Sequence, residues 1–173
     1  MFVLMFLLRG LPFVDLAYLR KSDLRDNVIT YRRRKTGRPL SVTLTPEALE
    51  LLKKYMNRDS HSPYLFSLLK SGEGTKEAYR EYQLALRSFN QQLTLLGEVL
   101  GLNDKLSSYT ARHTWATTAY YCEIHPGIIS EAMGHSSIKV TETYLKPFKN
   151  KKIDEANNQI IDFVKHSIAG VVS

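Results

Sequence analysis

Apolar residues recur at the three-and-four spacing of a helix along most of this 173-residue chain, and give way to β-branched runs between residues 27 and 44. The opening MFVLMFLL predicts a helix to about Leu8, a break at Arg9-Gly10, and a short second helix from Pro12 to Leu19 with proline at the tolerated first position. NVITYRR and RPLSVTL flank RKTG, which predicts a hairpin or small sheet turning at Thr36-Gly37. TPEALELLKKYM supplies its own helix start, with Thr45 as N-cap, Pro46 at N1 and apolar residues at 48, 49, 52, 55 and 56. After the polar SGEGTKE, a stripe through Tyr79, Tyr82, Leu86, Phe89, Leu93, Leu96 and Leu100 predicts one long helix that Gly101 stops. That stripe and Trp115 read as core. Shorter helices follow over about 108–122, 126–133 and 137–145, and Ile153, Ala156, Ile160, Ile161 and Val164 mark a last amphipathic one. The expected fold class is α+β, mostly α-helical, with a small antiparallel β-hairpin or sheet near the N-terminus.

Length allows a single domain with a substantial core. MFVLMFLL is too short for a membrane span and lacks the charged flank and cleavage site of a signal peptide. A chain that opens inside an apolar run is expected to be a piece of something longer. One cysteine, Cys122, permits no intramolecular disulfide and no Cys/His zinc spacing, which fits a reducing, cytoplasmic setting.

Charge changes the picture more. The net charge is +7, and the stretch from Arg20 to Arg38 holds eight basic residues against two acidic ones, a net of +6. A local basic patch of this kind points to an anionic partner such as nucleic acid. Arg32, Arg33, Arg34 and Lys35 are consecutive on or beside the hairpin, so alternation along a strand lets only some of them face one partner. Arg32, Arg33, Arg34 and Arg38 are candidate DNA-backbone contacts, which fix register without reading sequence.

Three motifs carry the candidate chemistry. SYTARHTWAT places Arg112 and His113 near a helix start, AMGHSS brings His135 some twenty residues later, and Tyr144 follows His135 by nine positions in HSSIKVTETYL. In that order they resemble the catalytic domain of the tyrosine recombinase, or phage integrase, family, with its R-H-T-F-A-T-like run, its L-G-H-S-S and its T-x-x-Y-like nucleophile segment. ITYRRRKTGRPLSVTLTPEALELL is similar to the family's hairpin with a K-T-G turn, and YLRKSDL to the run that closes its first box. The resemblance covers about residues 1 to 165.

The resemblance implies site-specific cutting and rejoining of DNA through a covalent 3′-phosphotyrosine, without metal, ATP or cofactor. Tyr144 would be the nucleophile, Arg112 a phosphate-binding guanidinium, His135 a phosphate ligand or proton acceptor, and Lys35 the acid for the leaving 5′ oxygen. Two positions depart from the pattern. The first arginine of the family falls at Pro12, for which Arg9, one helical turn earlier, is the candidate substitute. The first histidine falls at Tyr109, a phenol able to hydrogen-bond phosphate. His113 is expected to point away and order the site through a hydrogen bond. These departures keep a DNA-binding protein with a decayed site as an alternative, beside a type IB topoisomerase-like relaxase. The resemblance further implies residues 1–173 as a catalytic domain without its N-terminal DNA-clamping partner, double-stranded DNA as partner, no membrane, and a homotetramer on DNA contacted through 151–173.

Overall fold

A left-handed turn separates the first two helices and sets the frame of the site. In the computed structural model, which describes residues 1–145, 147–148 and 150–169, α1 (Phe2–Leu7) ends where Arg9 and Gly10 take positive φ angles of 58° and 67°. Pro12 then stands outside α2 (Phe13–Tyr18) as its N-cap, one position earlier than its expected N1 place. Proline has no N–H to contribute to a helix, so either place costs nothing in hydrogen bonds.

The predicted hairpin is present as β2 (Val28–Arg32) and β3 (Pro39–Thr43), antiparallel with Arg32 opposite Pro39. A two-residue strand β1 (Leu24–Arg25) pairs with β2 and completes a three-stranded sheet in the order β1-β2-β3. It is too short to register as a period in the sequence. The hairpin loop closes through Gly37 N–H on the Arg33 carbonyl at 2.7 Å and Arg33 N–H on the Arg38 carbonyl at 2.9 Å.

Helix α3 (Pro46–Tyr55) starts as predicted, Thr45 Oγ1 accepting from Ala48 N–H at 3.3 Å. The irregular stretch that follows satisfies its backbone on other elements: Leu65 N–H donates to Leu19 O at 2.7 Å and Asn57 N–H to Leu65 O at 2.8 Å. The main core gathers Leu4 and Met5 of α1, Leu16 of α2, Ile29, Val42, Leu52, Leu65 and Phe66, each buried. Each such side chain contributes roughly 1.5–3 kcal/mol by leaving water.

The long helix α4 (Lys76–Val99) is capped by Thr75 Oγ1 on Ala78 N–H at 3.1 Å. Its stripe is core only in part. Tyr82, Leu86 and Phe89 pack against the main cluster, Phe13 stacking on Phe89 at 4.9 Å, whereas Tyr79, Leu96 and Leu100 are exposed. The 24-residue helix outruns the body it packs on, so its ends keep the period without burying it. Trp115 is half-buried beside a second, smaller cluster.

Helices α5 (Thr110–Tyr121), α6 (Pro126–Met133) and α7 (Ile138–Glu142) follow, and α8 (Asn150–Ala169) closes the described chain. Ala116, Ile129 and Met133 form the second cluster, against which Tyr144 packs. His125 Nδ1 accepts from Gly127 N–H at 3.0 Å and so caps α6, a turn role as its place before proline predicts. Residues 170–173 of the expected C-terminal arm lie outside the described residues. Among those described, no helix is long and apolar enough to cross a membrane.

Candidate active site

The first turn of α5 places Arg112 inward, 2 % exposed, where three carbonyl or ring acceptors converge on it. Its Nη1 donates to Gly10 O at 2.8 Å, and its Nη2 donates to Met133 O at 2.7 Å and to His135 Nε2 at 2.8 Å. The Arg9-Gly10 turn is thus what aims the Gly10 carbonyl at the guanidinium. Three bonds occupy three of five N–H groups. The Tyr144 phenol meets the same guanidinium.

Gly134, left-handed at φ 65°, ends α6 and turns the chain so that His135 faces Arg112. His135 is buried, and its Nδ1 lies 2.8 Å from Thr141 Oγ1. Burial first, then the charges of Arg112, Arg33 and Lys35, push its pKa down to about 4. It is a neutral imidazole at neutral pH. Arg112 is shifted down as well, by burial and by Arg33 beside it, with Tyr144 acting in the opposite direction.

Tyr144 follows α7 and is half-buried. Its ring lies against two imidazoles, 4.5 Å from His113 and 5.2 Å from His135 between centroids. Its backbone N–H donates to Thr141 O at 2.9 Å, and its carbonyl accepts from Thr117 Oγ1 of α5 at 3.1 Å. The candidate nucleophile is therefore fastened to the helix that carries Arg112. His113 is exposed and meets Tyr144 through its ring face, where a hydrogen bond was expected.

The hairpin closes over this cluster from the other side. Thr36 Oγ1 donates to Gly134 O at 3.1 Å, and Arg38 Nη1 donates to the His135 carbonyl. Lys35 stands exposed on the turn, close enough for its charge to act on His135. Arg38 is thereby committed to holding the site together. Arg32 donates to Gly37 O at 3.2 Å within its own hairpin. Arg34 pairs with Glu73 and lies over the Tyr18 ring at 3.7 Å, and Arg20 holds the same Glu73 carboxylate at 2.7 Å.

Arg9 and Arg33 both make contacts within the protein that the sequence does not announce. The left-handed turn sends the Arg9 side chain to the Ser41 carbonyl of β3 at 3.2 Å, beside a cleft lined by Arg38 and Leu40. Arg33, expected as a surface backbone contact, is buried at 5 % exposure and paired with the fully buried Asp15 carboxylate. Asp15 Oδ1 also accepts from Arg34 N–H at 2.9 Å. The signal was present in the strand: Ile29 and Tyr31 share the inward face of β2, and Arg33, the residue after its end, continues their alternation. Tyr109 is the residue before α5, half exposed, its ring 6.1 Å from His113, at the rim of the cluster.

Arg112, Arg33, His135, Lys35 and Tyr144 thus converge, and the chain from residue 1 to residue 151 matches the family model described as phage integrase family. The chain belongs to the phage integrase family. Curated relatives of this integrase-family chain include the tyrosine recombinase XerC of Haemophilus ducreyi, 28 % identical over 134 residues, covering 75 % of this chain and 42 % of the relative. The tyrosine recombinase XerA of Pyrococcus furiosus is 28 % identical over 140 residues, 79 % of this chain and 46 % of that protein. The chain spans less than half the length of these relatives. Among solved structures, the Tn1549 transposon integrase in complex with transposon right end DNA superposes with TM-score 0.64 at 15 % identity, over 92 % of this chain and 57 % of that one. A crystal structure of XerA recombinase gives 0.62 at 22 %, over 91 % and 54 %. At those identities the superpositions show the integrase fold alone.

Proposed function

We propose that residues 1–173 form the catalytic domain of a site-specific DNA recombinase that cuts and rejoins strands through a covalent 3′-phosphotyrosine. The observation that carries this reading is a cationic recess with an unused donor. Arg112 and Arg33 are both buried and close enough to repel, and Arg33 Nε has no hydrogen-bond partner. A buried unpaired N–H costs on the order of 1–3 kcal/mol, a cost that a phosphate oxygen would remove. Arg33, on this reading, supplies the guanidinium that Pro12 cannot, and Asp15 holds it in place.

The reaction then balances without a metal, ATP or cofactor. The Tyr144 hydroxyl oxygen forms a bond to phosphorus as the bond to the 5′ oxygen breaks; its proton passes to His135 Nε2 as the Arg112 N–H that Nε2 accepts at rest turns to the phosphate, and Lys35 Nζ protonates the departing oxygen. Arg112 and Arg33 stabilise the charge gathering on the non-bridging oxygens. The low His135 pKa belongs to the resting cluster, and the negative charge of the arriving phosphate raises it toward useful basicity. Reversal by a second strand's 5′ hydroxyl rejoins the DNA.

Double-stranded DNA is the partner on this reading, which the complex of the Tn1549 integrase with transposon right end DNA supports. The protein acts in the cytoplasm as a homo-oligomer, a tetramer in the synaptic state, with 151–173 reaching a neighbouring protomer. What supports that contact is α8, whose Ile160, Ile161 and Val164 are exposed although apolar. Incubating the chain with a pool of nicked duplexes of randomised sequence tests the chemistry. A covalent adduct on a denaturing gel, abolished by Tyr144→Phe and unaffected by chelator, is expected. A wild type that binds the pool and forms no adduct would leave a DNA-binding protein, and unselective plasmid relaxation would favour a topoisomerase-like enzyme.

A further inference from the structure

Thr141 has no assigned part in this chemistry, yet it is fully buried and touches both the base and the segment that carries the nucleophile. A guanidinium can only donate hydrogen bonds. The 2.8 Å contact of Arg112 Nη2 with His135 Nε2 therefore makes Nε2 the acceptor, which leaves the ring proton on Nδ1. Nδ1 then donates to Thr141 Oγ1 at 2.8 Å. The carbonyl of the same threonine accepts the backbone N–H of Tyr144 at 2.9 Å.

We infer that Thr141 is a positioning residue: its hydroxyl fixes His135 in the Nδ1–H tautomer, so that Nε2 is the acceptor, holding the Arg112 guanidinium at rest and taking the Tyr144 proton once that guanidinium turns to an arriving phosphate, while its carbonyl holds the start of the nucleophile segment. The inference rests on the strand-cleavage reading for its consequence and on geometry alone for the tautomer. Without the hydroxyl, Nδ1–H would be a buried donor with no partner, and the ring would gain by moving its proton to Nε2 or by turning. Either change presents Tyr144 and Arg112 with a donor where an acceptor is needed. The groups that face the imidazole are Arg112 from α5, Arg33 and Lys35 from the hairpin, and the Tyr144 phenol, whose ring also meets His113. Among the cations and the phenol, Thr141 is the neutral partner at Nδ1.

The test uses the chain itself and three forms of residue 141. Nitrogen-15 NMR of the His135 ring is expected to show a protonated Nδ1 and a pyridine-like Nε2 in wild type and in Thr141→Ser, and to lose that pattern in Thr141→Val. Adduct formation with nicked duplex should fall by about tenfold or more in Thr141→Val, with its pH profile displaced, and return to within about threefold of wild type in Thr141→Ser. A valine variant that keeps both tautomer and rate overturns the inference, as does a serine variant that fails as badly as valine. If the tautomer responds as expected but no form of the chain makes an adduct, the role of Thr141 stands and the strand-cleavage reading falls.

Discussion

Asp15 of α2 and Arg33 of the hairpin form a buried ion pair, fully and 95 % removed from solvent, and Asp15 also accepts the backbone N–H of Arg34. One carboxylate thus fixes the side chain of one hairpin residue and the backbone of the next. Lys35 is the residue after that. The pair joins the first helices to the turn that carries the candidate general acid, and its cationic half reaches the recess of Arg112 and His135.

Removing only the carboxylate strands the guanidinium. Asp15→Asn is expected to destabilise the chain by about 3–5 kcal/mol, as breaking buried pairs does elsewhere. The double variant Asp15→Asn with Arg33→Met should recover a large part of that loss, because the uncompensated charge is gone. Urea denaturation of the two single variants and the double variant closes the cycle, and simple additivity would show that the two groups do not depend on each other.

Arg33 and Arg9 separate sharply in activity. Arg33→Ala removes the guanidinium proposed to bind phosphate beside Arg112 and is expected to lower adduct formation by about 100-fold or more. Arg9→Ala removes a bond to the Ser41 carbonyl and should leave the rate within about threefold. Single-turnover cleavage of a nicked duplex measures both, and the reverse ranking would return the first-arginine role to Arg9.

The elements and the order of the motifs were readable because each depends on local rules: period, Thr-Pro starts at residue 45, left-handed glycines at helix ends. The places of the Arg9 and Arg33 side chains were not, because they turn on two φ angles at Arg9-Gly10 and on a partner 18 residues away. Arg33, the residue after β2, continues the alternation of Ile29 and Tyr31, and its burial follows from that phase. Exposure at the ends of α4 escaped for a related reason. A stripe shows which face would be buried, and only the length of the neighbouring body says how much of it is.

His135 gives the fold a pH dependence of defined sign. Its folded pKa of about 4 lies below the ordinary 6.5, so the unfolded chain binds the extra proton between those values. The stability held by keeping the ring neutral is complete above about 6.5 and is lost as pH falls toward 4, to a total of about 3 kcal/mol. Comparing the denaturation of wild type and His135→Gln at pH 7 and pH 5 isolates this group from the carboxylates. The wild type should lose more stability over that interval, and parallel losses would contradict the assignment.

Two glycines are set by close approach as well as by φ. A Cβ at Gly10 would lie 2.8 Å from Arg112 Cα, and one at Gly134 would lie 2.8 Å from Arg33 Cγ and 2.9 Å from Leu40 Cδ1. Gly74 has an equally positive φ of 88° and open space around it. Gly74→Ala should cost about 1 kcal/mol from the backbone alone. Gly10→Ala, which meets backbone, should cost at least about 3 kcal/mol, with Gly134→Ala between them because a side chain can yield. Thermal denaturation gives the order, and the Gly10 variant should also lose adduct formation through its carbonyl's bond to Arg112.

The exposed face of α8 gives the last prediction. Its base is held by Lys152 on Glu123, and Ile153 and Ala156 line a cleft of about 460 Å³ with Tyr120, Ile124 and Phe148. Farther along, Ile160, Ile161 and Val164 are 63 %, 42 % and 48 % exposed, an apolar stripe with room for a partner helix. If that partner is a second protomer, Ile160→Glu should leave the melting temperature of the free chain nearly unchanged, because exposed substitutions cost within about 0.5 kcal/mol. The same variant should reduce assembly on DNA, read as mass against protein concentration by light scattering, as should removal of residues 151–173. A variant that melts early but assembles normally would place the stripe against its own domain instead, and would end the case for α8 as the link between protomers.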